Sequence, residues 1–156
     1  MAESFFIHFK NADWDALHKL LISAAYWFED LKQWRYPAHV GGRDYRLQLY
    51  EYDNVVNEYE DDKIDQVIAA VGDWPASILC IQFRSGLKRE DCDDAERLTL
   101  LLLEHFEGIA DDDMGGLWTR AEIVAGVSKE HGKFLDCYRP ISLSREQKND
   151  FFETVK

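Results

Sequence analysis

The sequence predicts a single α/β domain, a mixed sheet of about four strands packed against helices, with a ferredoxin-like arrangement the most familiar candidate. Three observations predict it. The apolar fraction of 46% with five tryptophans, in a chain of 156 residues, is enough for one folded core. Short apolar or aromatic runs alternate along the chain with stripes of helical period. No internal repeat or low-complexity linker divides residues 1–156, so one globular domain is expected throughout.

The elements follow in order. SFFIHFK, residues 4–10, reads as a first strand ending at Asn11 and Asp13, both competent helix N-caps. Trp14, Leu17, Leu21, Ala24, Phe28 and Leu31 then recur at three- and four-residue steps and predict one amphipathic helix running to about Leu31. That pattern stops near Tyr36-Pro37, and Gly41-Gly42 mark a turn before YRLQLYEY, residues 45–52, a strand with Leu47 and Leu49 on its drier face. Ile64, Val67, Ile68 and Val71 form a short helix closed by Gly72. SILCIQF, residues 77–83, is nearly continuously apolar and predicts a central strand covered on both faces. A helix capped among Asp91, Asp93 and Asp94 follows, with Ala95, Leu98, Leu102 and Phe106 inward. Residues 108–111 read as a short strand, Gly115-Gly116 as a turn, and Leu117-Trp118 as a brief extended piece. Thr119 and Glu122 match a capping box, predicting a helix from Arg120 to about Lys129. Residues 132–138 look extended, and Ser144 with Gln147 predicts a terminal helix over about 145–155.

Charge is the strongest global signal. The net charge is −12, and residues 51–65 carry −6 while residues 90–113 carry −9, leaving +3 for the rest. Such asymmetry argues against nucleic acid or an anionic membrane and for a basic protein as partner. The start, MAESFFIHFKNADW, lacks the features of a signal peptide, and no apolar run approaches a membrane span, so a cytoplasmic protein is expected. Cys80, Cys92 and Cys137 fit neither a disulfide framework nor a metal knuckle and read as reduced thiols.

No motif names a reaction. GIADDDMGGLWT, residues 108–119, lacks the calcium-loop spacing, and adjacent carboxylates in an extended segment point to opposite sides and do not converge on a metal. Asp111, Asp112 and Asp113 are instead expected in a solvated glycine turn. The five histidines show no ligand spacing, and neither glycine pair belongs to a phosphate-loop pattern. No catalytic residue, metal or cofactor is therefore assigned. Aromatic rings interleaved with acids, at Tyr50, Tyr52, Glu58, Tyr59, Glu60, Asp61 and Asp62, and Trp118 after Asp111–Asp113, point to a partner-binding surface. The competing reading of each is plain: a charge run is a solvated face, and Trp118 belongs to the core.

The stretch SILCIQFRS leading to an aspartate-capped helix, followed by FEGIADDDMGGLWTRAEI, resembles in style the immunity proteins with which bacteria neutralise toxins of polymorphic and contact-dependent systems. The resemblance is one of class and assigns no role to any residue. It implies a stoichiometric inhibitor, not an enzyme, whose acidic face occludes the active site of a basic toxin, often a nuclease. Two alternatives stay open: a small enzyme using converged carboxylates, and a structural or adaptor protein that self-associates as a homo-oligomer through its aromatics.

Overall fold

The computed structural model describes residues 3–38, 45–52, 61–84 and 88–140. Their order is β1 (Ser4–Phe9), α1 (Trp14–Leu21), β2 (Tyr26–Phe28), β3 (Gln33–Tyr36), β4 (Leu47–Glu51), α2 (Asp61–Val71), β5 (Ser77–Phe83), α3 (Arg89–His105), β6 (Gly108–Asp111), β7 (Leu117–Trp118) and α4 (Arg120–Ala125). The chain is thus a mixed α+β domain. Its described strands number seven rather than about four, in the order β2-β3-β4-β5-β1-β6-β7. Every pairing is antiparallel, so the expectation of a mixed sheet is corrected.

The extra strands come from one misread segment. The apolar steps of Trp14, Leu17 and Leu21 belong to α1, but the steps that continue through Ala24, Phe28 and Leu31 are coincidental. After Leu21 the chain tightens through Ser23, Ala24 and Ala25, then Tyr26-Trp27-Phe28, three strong strand formers, pair with Gln33-Trp34-Arg35. The hairpin turn is closed by Lys32 at a φ of 51°, and Leu31 is exposed at its tip. Trp34 is the anchor: it is fully buried, meets Trp27 at 4.8 Å and Trp14 at 5.6 Å, and donates its indole N–H to His18 Nδ1 at 3.1 Å.

Strand alternation sorts the remaining side chains to two faces. Phe5, Ile7 and Phe9 of β1, Leu79, Ile81 and Phe83 of β5, Leu47 and Leu49 of β4, and Ala110 of β6 build the main core with α1, α3 and α4. The other face carries Phe6, Ile78 and Cys80 in one cluster and Ile109 against Val67 and Val71 of α2 in another. Three layers result, with β5 central and covered on both faces as its continuous apolar run predicts. Gly72, at a φ of 90°, closes α2 by donating to Ile68 O at 2.8 Å.

Three boundaries differ from the sequence reading. Helix α3 starts at Arg89, and Asp91 works from inside the first turn, accepting from Lys88 N at 2.7 Å. The capping box at Thr119 and Glu122 forms, but α4 stops at Ala125 because Gly126 takes a left-handed φ of 68°. Residues 132–138 form turns rather than an extended piece, with Phe134 and Leu135 buried in the main core. The expected Gly41-Gly42 turn and the terminal helix over 145–155 lie outside the described residues. No described helix is long and apolar enough to cross a membrane.

The thiols provide a check on this packing. Cys80 and Cys92 are buried and Cys137 is exposed, while desolvation pushes the Cys92 and Cys137 thiols up to about 11. A colorimetric thiol titration of the native chain at pH 7.5 should therefore show at most one slow-reacting group, with all three reacting in denaturant; fast reaction of two in the native state would contradict the packing.

Candidate functional site

The three aspartates do three different jobs. Asp111 closes β6 with its side chain on the α2 face, and Asp112, one residue on, points to the opposite side. This divergence matches the sequence expectation; solvation does not. Asp111 is 0% and Asp112 3% exposed, so only Asp113 of the triplet lies outside. Asp113 occupies a φ of 61°, the left-handed region that aspartate tolerates better than most residues.

On the α2 side, Asp111 Oδ2 is 3.1 Å from His8 Nε2 of β1, and Asp111 Oδ1 is 3.4 Å from Lys63 Nζ of α2 and accepts from Asp113 N at 3.0 Å. His8 and Asp111 are both fully buried, and an ionised carboxylate there requires the proton of His8 on Nε2. Lys63 comes from the acidic stretch 51–65 and Asp111 from the acidic stretch 90–113. Their ion pair joins the two.

On the other side, Asp112 organises the turn into β7. Its Oδ1 accepts from Met114 N at 2.8 Å and Gly116 N at 2.9 Å, and its Oδ2 accepts from the Trp118 indole N–H at 3.0 Å. A Cβ at Gly116 would sit 2.4 Å from Asp112 Oδ2 and 2.7 Å from Trp118 Nε1, which is why glycine stands there. The Tyr138 hydroxyl donates to the Asp112 carbonyl, and Trp118, 2% exposed, packs on Phe134 at 5.9 Å. Trp118 is therefore a core residue, and its expected place on a partner-facing surface is corrected. Lys129 lies over its ring at 4.6 Å, pairs with Glu122 at 2.9 Å, and donates to the Leu117 carbonyl.

Between α2 and this turn lies a cleft of about 650 Å³, lined by Gln66, Ala69 and Ala70 on one wall and by Met114, Gly115, Trp118, Lys129, Glu130 and His131 on the other. Small alanines open it, and Met114, 49% exposed, stands at its lip. Asp62 lies one turn before Gln66 on the same helix face, and Asp65 one turn before Ala69; both are exposed. With Asp113 beside Met114 and with Glu130, acids stand along both walls.

Much of the acid in residues 90–113 is spent internally. Asp91, Asp94, Asp111 and Asp112 are buried. Arg46 draws in Glu90, Asp91 and Asp94 at 3.2, 3.4 and 2.5 Å, and Arg139 holds Asp93, Glu96 and Asp136 at 3.4, 3.5 and 2.9 Å. Tyr50 and Tyr52 are drawn inward as well. They are half-buried and pack with Phe6 beside Ile78 and Cys80, with Tyr52 stacked on Phe6 at 5.9 Å. Desolvation raises the Tyr50 hydroxyl well above its usual value. Glu58, Tyr59 and Glu60 lie outside the described residues; Asp61 opens α2, and its side chain is not described.

His8, Lys63, Lys129 and Met114 are site residues that sequence reasoning missed. For Lys63 a signal existed, since it is the lone basic residue of the stretch 51–65. No cluster of three or more histidine, cysteine, aspartate or glutamate side chains suited to a metal occurs among the described residues. The chain matches no family model, no curated protein and no solved structure.

Two substitutions test this geometry. Asp112→Asn turns an amide or a neutral oxygen toward donors that a carboxylate satisfied, and should lower stability by about 2–4 kcal/mol in urea denaturation; a change below about 0.5 kcal/mol would show that the turn does not depend on the carboxylate. Lys63→Met leaves Asp111 without its α2 charge and should cost about 3–5 kcal/mol, with α2 amides losing protection in hydrogen exchange first. Adding Asp111→Asn to Lys63→Met should cost less than the two single losses combined.

Proposed function

We propose that the chain is a protein-binding module for a basic partner, acting as an immunity-type inhibitor that occludes the active site of a cognate toxin. The observation that carries this reading is the convergence of two acidic segments, remote in sequence, at one cleft with an exposed methionine at its lip. A concave surface with apolar contact and an acid-rich rim suits recognition of a lysine or arginine side chain projecting from a cationic face. The exposed acids there are Asp62, Asp65, Asp113 and Glu130; the buried Asp111 and Asp112 shape the cleft from beneath. A catalytic role for Asp111 and Asp112 acting together has less in its favour, because they face opposite sides of β6 and each is tied to fixed donors.

The test begins with tagged protein as bait in a low-salt pull-down from the source cells, captured proteins being identified by mass spectrometry. One basic protein should be retained in stoichiometric amount. Its association rate should fall steeply with ionic strength, and Asp62→Lys combined with Asp65→Lys should slow association about tenfold at low salt while leaving the folded state intact. An association rate indifferent to both salt and charge reversal would sink the reading.

A further inference from the structure

The chain has two methionines, Met1 and Met114, so Met114 is its internal one. It sits between Asp113, at a φ of 61°, and Gly115, at a φ of 96°, two left-handed residues in the turn that follows β6. Its backbone N–H donates to Asp112 Oδ1 at 2.8 Å, and Gly116 N donates to the same oxygen at 2.9 Å. The main chain is thereby fixed, while the side chain, 49% exposed, stands at the lip of the cleft across from Ala69 and Ala70.

The other sulfurs are guarded. Cys80 and Cys92 are buried. Desolvation raises the Cys80 thiol and pushes those of Cys92 and the exposed Cys137 up to about 11. Oxidants react with the thiolate, so a thiol held protonated is slow, and its rate falls about tenfold for each further pH unit below that value. A thioether has no proton to lose. Its lone pairs are nucleophilic across the same pH range, and exposure rather than ionisation decides how fast it reacts. Lowering the pH therefore widens the gap between Met114 and the cysteines.

We propose that Met114 is a modification site at which hydrogen peroxide forms the sulfoxide ahead of any cysteine, and that this oxidation regulates the cleft. The thioether sulfur attacks one peroxide oxygen: an S–O bond forms as the O–O bond breaks, sulfur gives up two electrons, and the leaving hydroxide takes the proton of the transferred oxygen and departs as water. The regulatory half rests on the reading of the cleft as a surface for a basic partner. Methionine is flexible and apolar and adapts to what it meets, whereas its sulfoxide carries a strongly polar oxygen. A partner's apolar stem pressed against the lip would have to desolvate that oxygen. Asp112 holds the turn through backbone donors, so oxidation changes the contact without unfolding its support.

The experiment treats the native chain with hydrogen peroxide at about pH 6 and follows it by peptide mass mapping and by proton–nitrogen correlation spectra. Met114 should gain one oxygen before any cysteine does, and the amide signals of Ala69 and Ala70 on the facing wall should shift while those of α3 stay in place. Untreated and oxidised chains are then compared on the basic protein retained in the pull-down. Oxidation should weaken that binding about tenfold, methionine sulfoxide reductase should restore it, and in Met114→Leu, whatever its own affinity, peroxide should change nothing. A cysteine oxidised first, an unchanged facing wall, equal binding by the oxidised chain, or an equal peroxide effect in Met114→Leu would each overturn the proposal. Retention of no partner by the untreated chain would defeat the basic-partner reading and the regulatory half with it, while the peptide masses still decide the site.

Discussion

Two consecutive carboxylates taken out of water at the end of one strand are the constraint on which the rest of this structure depends. Each carries a desolvation cost of several kcal/mol that only nearby donors or cations offset. Because neighbours on a strand face opposite ways, the compensation is built on both sides of the sheet at once. On one side His8 and Lys63 tie β6 to β1 and to α2. On the other, the backbone of the turn and the Trp118 indole tie it to the main core, and Tyr138 brings in the chain beyond α4. A strand of four residues thereby becomes the seam of three layers.

The same economy governs the acids of α3. A net charge counts every carboxylate equally, but the field that a partner meets is set by those left outside and uncompensated. Four of the acids in residues 90–113 are buried, and others surround Arg46 and Arg139. The outward acidity of that segment is accordingly smaller than its composition suggests, and the exposed acids of α2 weigh more.

What was legible in the sequence was local. The continuous run of β5, the stripe and glycine stop of α2, the capping box at Thr119 and the β6 turn all carry their signals within a few residues. The overlong first helix shows the limit of that method. Tyr26, Trp27 and Phe28 fit a helical stripe by spacing and a strand by side-chain type, and burial of Trp34 between α1 and β2 decides for the strand. The site was half legible: the divergence of Asp111 and Asp112 follows from strand geometry alone, but their burial depends on His8, 103 residues away, and on Lys63. Strand order leaves no local mark, and the seat of Arg35 on the Phe28 and Tyr45 rings is not visible in its sequence neighbours.

Lys129 has a further consequence through the Leu117 carbonyl it occupies. The described sheet ends at β7, and an end strand exposes a row of backbone groups that invites another chain to add on. Here that row is two residues long and one of its acceptors is already bonded to an ammonium, which cannot itself continue a ladder. The opposite end, β2, is three residues of strong strand-forming type followed at once by Glu29 and Asp30. Brevity with a lysine at one margin and brevity with paired acids at the other make strand-to-strand growth at the margins of the described sheet unfavourable.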